Sequence, residues 1–348
     1  MLVIGIDAHK RTHTAVAVDG NGAEVGTRTV AATSDGHLEL IKWASGLDPA
    51  RRFAAEDCRH LTRGLERDLL GAGELVVRVP PKLMAGARRS GRTAGKSDPI
   101  DALAVARAAL RERGLATARL DGIERELRLL LDRREDLVAQ RTRQINRLRW
   151  LLHDIDPSLE TGAANLTRFK AMDALGEHLR HRDGLTAEIA LDLVEEIREL
   201  STKANRLERQ IAERVQPHAP SLLTLEGVAA LTAAKIMAET ADVRRFKSAD
   251  AYARHNGTAP IPVWSGNNDH HRLNRGGNRQ LNAALHRIAV TQMRSPGLAK
   301  DAHDRLTKAG KTKRDALRII RRRLSDIVYK HLMEDSSIRE STGLAWAI

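Results

Sequence analysis

The hydrophobic pattern of the first eighty residues indicates a sheet flanked by helices. Short apolar runs and alternating apolar and polar positions predict five strands, and helical spacing predicts two helices between them. The predicted strands cover residues 2–6, 12–19, 23–31, 52–56 and 75–80, and the predicted helices cover 34–46 and 60–71. Three strands that can form a meander, followed by strand, helix and strand, predict a mixed α/β sheet of the ribonuclease H type.

Helical spacing dominates the chain beyond residue 97, where no further strand is predicted. An Ala-rich helix is expected at 99–113, and two long charged helices are expected at 120–155 and 185–215. The second long helix carries apolar residues at alternating spacings of four and three, which is a heptad pattern. This pattern comprises Leu193, Ile197, Leu200, Ala204, Leu207 and Ile211. It predicts an antiparallel helical hairpin or an oligomerising coiled coil, although a solvated helix pair without a further role stays open.

The last third of the chain is predicted to be mostly helical, beginning after the boundary marked by Pro217 and Pro220. Gly227 precedes a helix predicted at 229–239, and a glycine turn before a helix N-terminus is one way to bind a DNA phosphate. A basic amphipathic helix is predicted at 312–333, with several arginines on or near one face. These arginines are Arg318, Arg321, Arg322 and Arg323.

The predicted fold class is therefore α/β plus all-α. We expect a mixed-sheet domain at residues 1–118, a long helical coiled-coil segment at 119–216, and a mostly helical C-terminal domain at 217–348.

The composition of the chain indicates the kind of partner that it binds. The chain has 58 Lys and Arg against 45 Asp and Glu, a formal net charge of +13, which favours nucleic acid as a polyanionic partner. A basic protein of another kind, such as a ribosome-associated factor, is the alternative. Aromatic residues make up only 3%, so phosphate contacts by Arg and Lys are expected to outweigh base stacking.

The cysteine content and the apolar runs indicate the compartment. Cys58 is the only cysteine, which excludes an intramolecular disulfide and a cysteine-based zinc site and fits a reducing cytoplasm. The N-terminal apolar run of about five residues is too short for a signal peptide, and no run reaches the length of a membrane span. A soluble cytoplasmic protein without a membrane partner is therefore expected.

Four acidic residues in three segments are the candidate metal ligands. Asp7 follows a predicted strand and Glu56 ends another, and a neighbouring strand would bring Glu56 beside Asp7. Asp98 and Asp101 share one face at a predicted helix start. The structural alternatives are a turn-forming role for Asp7, an N-cap for Asp98 and a first-turn acid for Asp101. Because converging carboxylates repel unless cations neutralise them, the set predicts a site for Mg²⁺ (or Mn²⁺) that can support phosphodiester chemistry.

A serine followed by an arginine-rich segment is the second candidate site. Ser265 precedes Gly266 in a segment rich in turn residues, where most serines are plain exposed loop residues. Arg272, Arg275 and Arg279 surround two glycines before a predicted helix and resemble an anion-binding loop. A serine hydroxyl beside guanidinium groups can attack a phosphodiester and form a phosphoserine link, with the positive charges stabilising the transition state.

These motifs together resemble the insertion sequence 110 family of transposases. GIDAHK, FAAED, KSDPIDA, LEGVAALTAAKIMAE and APIPVWSG…RGGNRQLNAAL occur in the family's order and spacing, over residues 2 to about 295. The resemblance implies a RuvC-like N-terminal domain with a DEDD metal site on Asp7, Glu56, Asp98 and Asp101. It also implies a C-terminal domain with a nucleophilic serine in a Ser-Gly motif, which falls on Ser265.

The resemblance further implies the partners of the reaction. These are donor and target DNA, a structured non-coding bridge RNA from the element, and other copies of the chain in a dimer or tetramer. In that assembly the RuvC-like domain of one subunit completes the site around the serine of another, and the coiled-coil segment helps to join subunits. The leading hypothesis is thus a metal-assisted DNA transposase that cuts and rejoins strands through a phosphoserine.

Two alternatives stay open at this point. One is a RuvC-like metal-dependent endonuclease in which water is the nucleophile and Ser265 only binds. The other is a non-catalytic RNA- or DNA-binding protein in which the acidic residues are structural.

Overall fold

The structure, a computed structural model, describes residues 1–56, 58–81, 83, 97–119, 122–159, 162, 164–265 and 268–344. The chain divides into two compact units, one from Met1 to Asp121 and one beginning at Gly122. No helix in these ranges combines the length and the apolar character that crossing a membrane requires.

The first unit is built on a six-stranded mixed sheet. Its elements are β1 (Leu2–Ala8), β2 (Thr12–Val18), β3 (Glu24–Ala31), α1 (Ser34–Leu47), β4 (Arg51–Glu56), α2 (Arg59–Gly71), β5 (Val76–Val79), α3 (Asp98–Arg111) and β6 (Ala116–Thr117). The strand order is β3-β2-β1-β4-β5-β6, with β1, β4 and β5 parallel and the other neighbours antiparallel. The predicted mixed sheet of ribonuclease H type is confirmed.

Alternation along the strands sends side chains into two opposite cores. One core packs alternate residues of β1, β2, β4 and β5, including Val3, against α3. The other packs the intervening residues, including Ile4, against α1 and α2. By the same alternation Asp7 lies on the α3 face, as does Glu56, two residues after Ala54 of the first core.

Gly5 allows the backbone of α3 to lie directly against β1. A Cβ added at Gly5 would lie 2.2 Å from the carbonyl oxygen of Ala102 and 2.3 Å from the backbone nitrogen of Ala106. Because Gly5 shares a strand face with Asp7 and Ala102 follows Asp101, this contact holds the start of α3 close to the end of β1.

We expect the Gly5→Ala variant to be destabilised by about 1–3 kcal/mol or more, because the methyl group meets backbone atoms that have no alternative rotamer. Gly46→Ala in α1 is the matched control, since a Cβ there meets nothing within 4 Å. Alanine in a helix is expected to stabilise by up to about 1 kcal/mol. Urea unfolding measures both, and equal free energies of unfolding for the two variants would contradict the close packing of α3 on β1.

The second unit is helical with one β-hairpin. Its elements are α4 (Ile123–Ile155), α5 (Phe169–Arg180), α6 (Leu185–His218), α7 (Pro220–Leu223), α8 (Ala230–Thr240), α9 (Ala249–His255), β7 (Ile261–Ser265), β8 (Asn268–Arg272), α10 (Arg279–Gln292), α11 (Leu298–Lys308) and α12 (Lys313–Ser341). Together the two units confirm the predicted α/β plus all-α class.

The expectation that no strand follows residue 97 is wrong at β6 and at the β7–β8 hairpin. The two residues of β6 are too few to show an alternation. Pro262 and the many turn-forming residues conceal β7 and β8, because proline disfavours a strand in most sheets. A two-stranded hairpin tolerates it, since each strand has a free edge on which no ladder hydrogen bond is lost.

The two long helices α4 and α6 form an antiparallel hairpin within the chain. Arg134 contacts Glu208 at 2.6 Å and Gln144 contacts Glu196 at 2.7 Å, so the contacts advance along α4 as they recede along α6. The heptad stripe of α6 is buried at Ile197 and other positions of the predicted pattern. The predicted antiparallel helical hairpin is therefore present, and its base shares a core with α8, α10 and α12.

Candidate metal and nucleic-acid sites

Strand register brings the first two candidate acids to neighbouring positions. The parallel strands β1 and β4 pair Ile6 with Ala55, and the next position in this register sets Asp7 beside Glu56. Both residues are partly buried at the carboxyl ends of their strands. The backbone register thus sets these two positions on neighbouring strands, whereas the acidic cluster found among the described residues consists of Asp7, His9 and Asp98. That Glu56 joins Asp7 in one site stays a prediction.

The other two acids lie in the first turn of α3. Ser97 occupies the N-cap position and Asp98 is the first helical residue, so the alternative explanation of Asp98 as an N-cap is wrong. Asp101 lies one turn further and is buried, with 8% of its surface exposed. Since Gly5 holds this end of α3 against β1, Asp101 lies near Asp7.

His9 belongs to this cluster and was not predicted. Its Nε2 lies 3.1 Å from Oδ2 of Asp7 and 3.4 Å from Oδ1 of Asp98. Ligand-type atoms of these three residues all lie within 4.8 Å of one another. The sequence did contain a signal for His9. It lies two residues after Asp7, and residues two apart in an extended chain share a face.

The pKa of the Asp7 carboxyl is raised above its ordinary value. Burial is the largest cause, His9 acts in the opposite direction, and the nearby Asp101 and Asp98 carboxylates raise the pKa further. These effects indicate that the three carboxylates approach one another. Oxygen donors crowded in this way match the preference of Mg²⁺ and Mn²⁺, so the residues present fit a divalent cation.

The backbone of Ser265 lies at the end of a hairpin strand, so the description of its segment as a plain loop is corrected. Ser265 is the last residue of β7 and pairs with Asn268 of β8. Gly266, the second member of the predicted Ser-Gly motif, lies outside the described residues with residue 267. The Ser265–Asn268 pair lies at the opposite end of this ladder from the Ile261–Arg272 pair.

Two glycines hold the base of this hairpin. Gly257, with φ +73°, precedes β7, and a Cβ there would lie 2.6 Å from the carbonyl oxygen of Gly276. Gly277, with φ +83°, follows β8, and its Cβ would lie 2.7 Å from the nitrogen of Gly257. The chain entering the hairpin and the chain leaving it therefore touch through backbone atoms, which requires glycine at both positions.

A buried amide network supports the same base. Nδ2 of the fully buried Asn256 donates to Oγ of Ser325 on α12 at 2.8 Å. The carbonyl oxygen of Asn256 accepts from Nδ2 of Asn282 on α10 at 2.9 Å. Nδ2 of Asn278 donates to Glu239 on α8 at 2.6 Å. Side chains of α8, α10 and α12 thus anchor the segments that enter and leave the hairpin through hydrogen bonds.

The three arginines predicted to bind nucleic acid lie close together along the chain after the hairpin. Arg272 ends β8, Arg275 lies in the connection and Arg279 begins α10, and all three are exposed. Among the described residues, none of them forms an ion pair with a carboxylate. Their charge is available to an external anion at a helix N-terminus.

Comparisons with known proteins match both parts of the chain. A family described as "Transposase", with the model label DEDD_Tnp_IS110, matches residues 4–157, and one described as "Transposase IS116/IS110/IS902 family" matches residues 219–304. The insertion element IS116 uncharacterized 44.8 kDa protein of Streptomyces clavuligerus is 28% identical, over 95% of this chain and 94% of that protein. The insertion element IS900 uncharacterized 42 kDa protein of Mycobacterium paratuberculosis is 26% identical, over 99% and 98%.

Proposed function

Because the chain belongs to the insertion sequence 110 family of transposases, we propose that it cuts and rejoins DNA strands through a phosphoserine intermediate, assisted by a divalent metal. Family membership itself identifies a DNA-cutting and DNA-rejoining enzyme. One observation carries the finer proposal: the carboxylates of Asp7, Asp98 and Asp101 approach one another at the end of β1, beside His9.

The proposed metal ligands are the four acids of the domain at residues 1–118, namely Asp7, Glu56, Asp98 and Asp101. Bound Mg²⁺ or Mn²⁺ would act as a Lewis acid that polarises the scissile phosphate, and its positive charge would stabilise the leaving oxygen. A hard cation held by these carboxylates would keep some of its coordination positions for water and for a substrate phosphate. The raised pKa of Asp7 supports this role, since a cation relieves repulsion between close carboxylates.

The proposed nucleophile is Ser265 in the domain at residues 217–348. Its Oγ loses a proton and forms a bond to the scissile phosphorus, while the bond from phosphorus to the 3′ oxygen of the DNA breaks and that oxygen takes a proton. Rejoining is the reverse exchange, in which a 3′ hydroxyl attacks the phosphoserine and releases the serine. Arg272, Arg275 and Arg279 are assigned to holding the strand's phosphates.

The proposal includes a guide and an assembly. A structured bridge RNA from the element would select the DNA, and the net charge of +13 supports binding of both nucleic acids. Copies of the chain would assemble as a dimer or tetramer. Since the heptad stripe is already buried between α4 and α6 at residues such as Ile197, contacts between subunits would use the outer faces of this hairpin.

Trapping the intermediate tests the proposed chemistry. The protein is incubated with Mg²⁺, DNA from an element end and the RNA encoded beside the gene, then denatured. We expect a covalent protein–DNA adduct whose linked peptide contains Ser265 phosphate. Cleaved DNA without linked protein would instead identify a RuvC-like endonuclease that uses water. Binding without cleavage under any divalent ion would identify a non-catalytic nucleic-acid-binding protein.

A further inference from the structure

Two arginines of the basic helix α12, Arg318 and Arg322, already pair with carboxylates of the chain. Arg318 pairs with Asp315 at 2.8 Å. Arg322 pairs with Asp250 at 2.5 Å and also with Asp326. Each of these two guanidinium groups therefore has a carboxylate partner within the chain.

Arg321, on the same helix, has a different environment. Its Nη1 donates to the amide oxygen Oδ1 of Asn282 at 2.9 Å, and its buried Nε has no hydrogen-bond partner. In the part of the chain that the structure describes, no carboxylate pairs with it. The pKa of Arg321 is lowered, first by burial and then by the neighbouring Arg318. Within the described residues, Arg321 is therefore a half-buried positive charge without a compensating anion.

The position of Arg321 connects it to the hairpin of Ser265. Asn282, which contacts Arg321, also donates to the carbonyl oxygen of Asn256 at the hairpin base. Asn282 lies three residues after Arg279 on α10, so the two share a helix face. Arg321 thus adds a cation to the side of the hairpin base on which Arg279 begins α10.

We propose that Arg321 binds a phosphate of the DNA strand that reaches the Ser265 hairpin. This assignment rests on the proposed function for the identity of the strand. The spacing of the N–H groups in a guanidinium matches the oxygen spacing of a phosphate, so the two can form charge-assisted hydrogen bonds. The phosphate would be the anionic partner of Arg321. Asn282 holds the guanidinium in place before DNA arrives, which lowers the entropy lost on binding.

The salt dependence of DNA binding measures this contact. Each phosphate contact on duplex DNA contributes a slope of about −0.9 to log affinity against log salt. We expect Arg321→Gln to reduce the magnitude of this slope by about 0.9, the value of one phosphate contact. The affinity is expected to fall about tenfold. Arg322→Gln is the matched control, because Arg322 already pairs with carboxylates of the chain, and it is expected to change the slope much less. Arg321→Lys retains the charge and is expected to restore most of the slope.

The experiment uses the full chain in the Ser265→Ala background without divalent ions, with a fluorescein-labelled DNA duplex and an RNA duplex of the same sequence. Strand transfer cannot occur there, so the outcome is independent of whether Ser265 is the nucleophile. An unchanged slope in Arg321→Gln would overturn the site, as would equal losses in Arg321→Gln and Arg322→Gln. A loss confined to the RNA duplex would overturn the assignment to DNA. Thermal unfolding confirms that each variant is folded.

Discussion

Strand transfer by the Ser265→Ala variant is expected to fall at least about 10⁴-fold, because alanine has no hydroxyl with which to form the phosphate ester. The protein–DNA adduct is expected to disappear with it. Affinity for DNA is expected to stay within about twofold of the parent, since the proposed phosphate contacts are made by Arg272, Arg275 and Arg279 and not by the serine. Quantifying adduct, cleaved strand and rejoined product in one time course measures all three quantities.

Two variants make this result specific to the hydroxyl of Ser265. Ser337→Ala, on the exposed side of α12, removes a hydroxyl that only contacts the backbone of its own helix and is expected to leave activity unchanged. Ser265→Cys keeps a nucleophilic atom and is expected to form a thiophosphate ester slowly. Normal cutting and rejoining by Ser265→Ala would exclude the serine mechanism, and cleavage without rejoining would favour water as the nucleophile.

Strand transfer by the Asp7→Asn variant is expected to fall about 10³-fold or more, because a neutral amide holds a divalent cation poorly and the scissile phosphate loses its polarisation. Binding of Mn²⁺, followed by electron paramagnetic resonance, is expected to weaken in parallel. The matched control is Glu39→Gln, an exposed acid on α1 at the opposite face of the sheet, which is expected to change neither quantity.

The same substitution carries a second expected result for the protein without metal. Burial and the nearby Asp101 and Asp98 carboxylates raise the pKa of Asp7, so its ionised form is less stable in the folded protein than in the unfolded chain. At neutral pH Asp7→Asn removes that charge and is expected to raise the melting temperature of the metal-free protein. Mn²⁺ is expected to stabilise the parent more than the variant. Equal Mn²⁺ stabilisation of both proteins would exclude Asp7 as a ligand.

Several parts of the fold and site follow from the sequence alone, because their signals are local. The apolar run of β1 depends on adjacent residues, the alternation predicted for β3 depends on residues two apart, and the heptad stripe of α6 depends on residues three and four apart. The positions of Asp7 and Glu56 at strand ends are likewise visible in the sequence. The mixed sheet, the antiparallel helical hairpin and the neighbouring strand positions of these two acids were predictable for this reason.

Other features of the site depended on which distant segments came together. Pro262 concealed the strand β7, which forms because β8 pairs with it. Asp98 was a candidate N-cap in the sequence, whereas in the structure Ser97 is the N-cap. His9 was visible in the sequence, but its contact with Asp98 required α3 to lie against β1.

The arginines of α12 show most clearly the difference between what the sequence determines and what the tertiary structure determines. The sequence by itself determined a basic helical face that includes Arg321 and Arg322. Only the tertiary structure brought Asp250 to Arg322 and the neutral amide of Asn282 to Arg321. The physical reason is that periodicity sets which face a side chain occupies, whereas its charge balance depends on the groups that the fold brings to it from elsewhere in the chain.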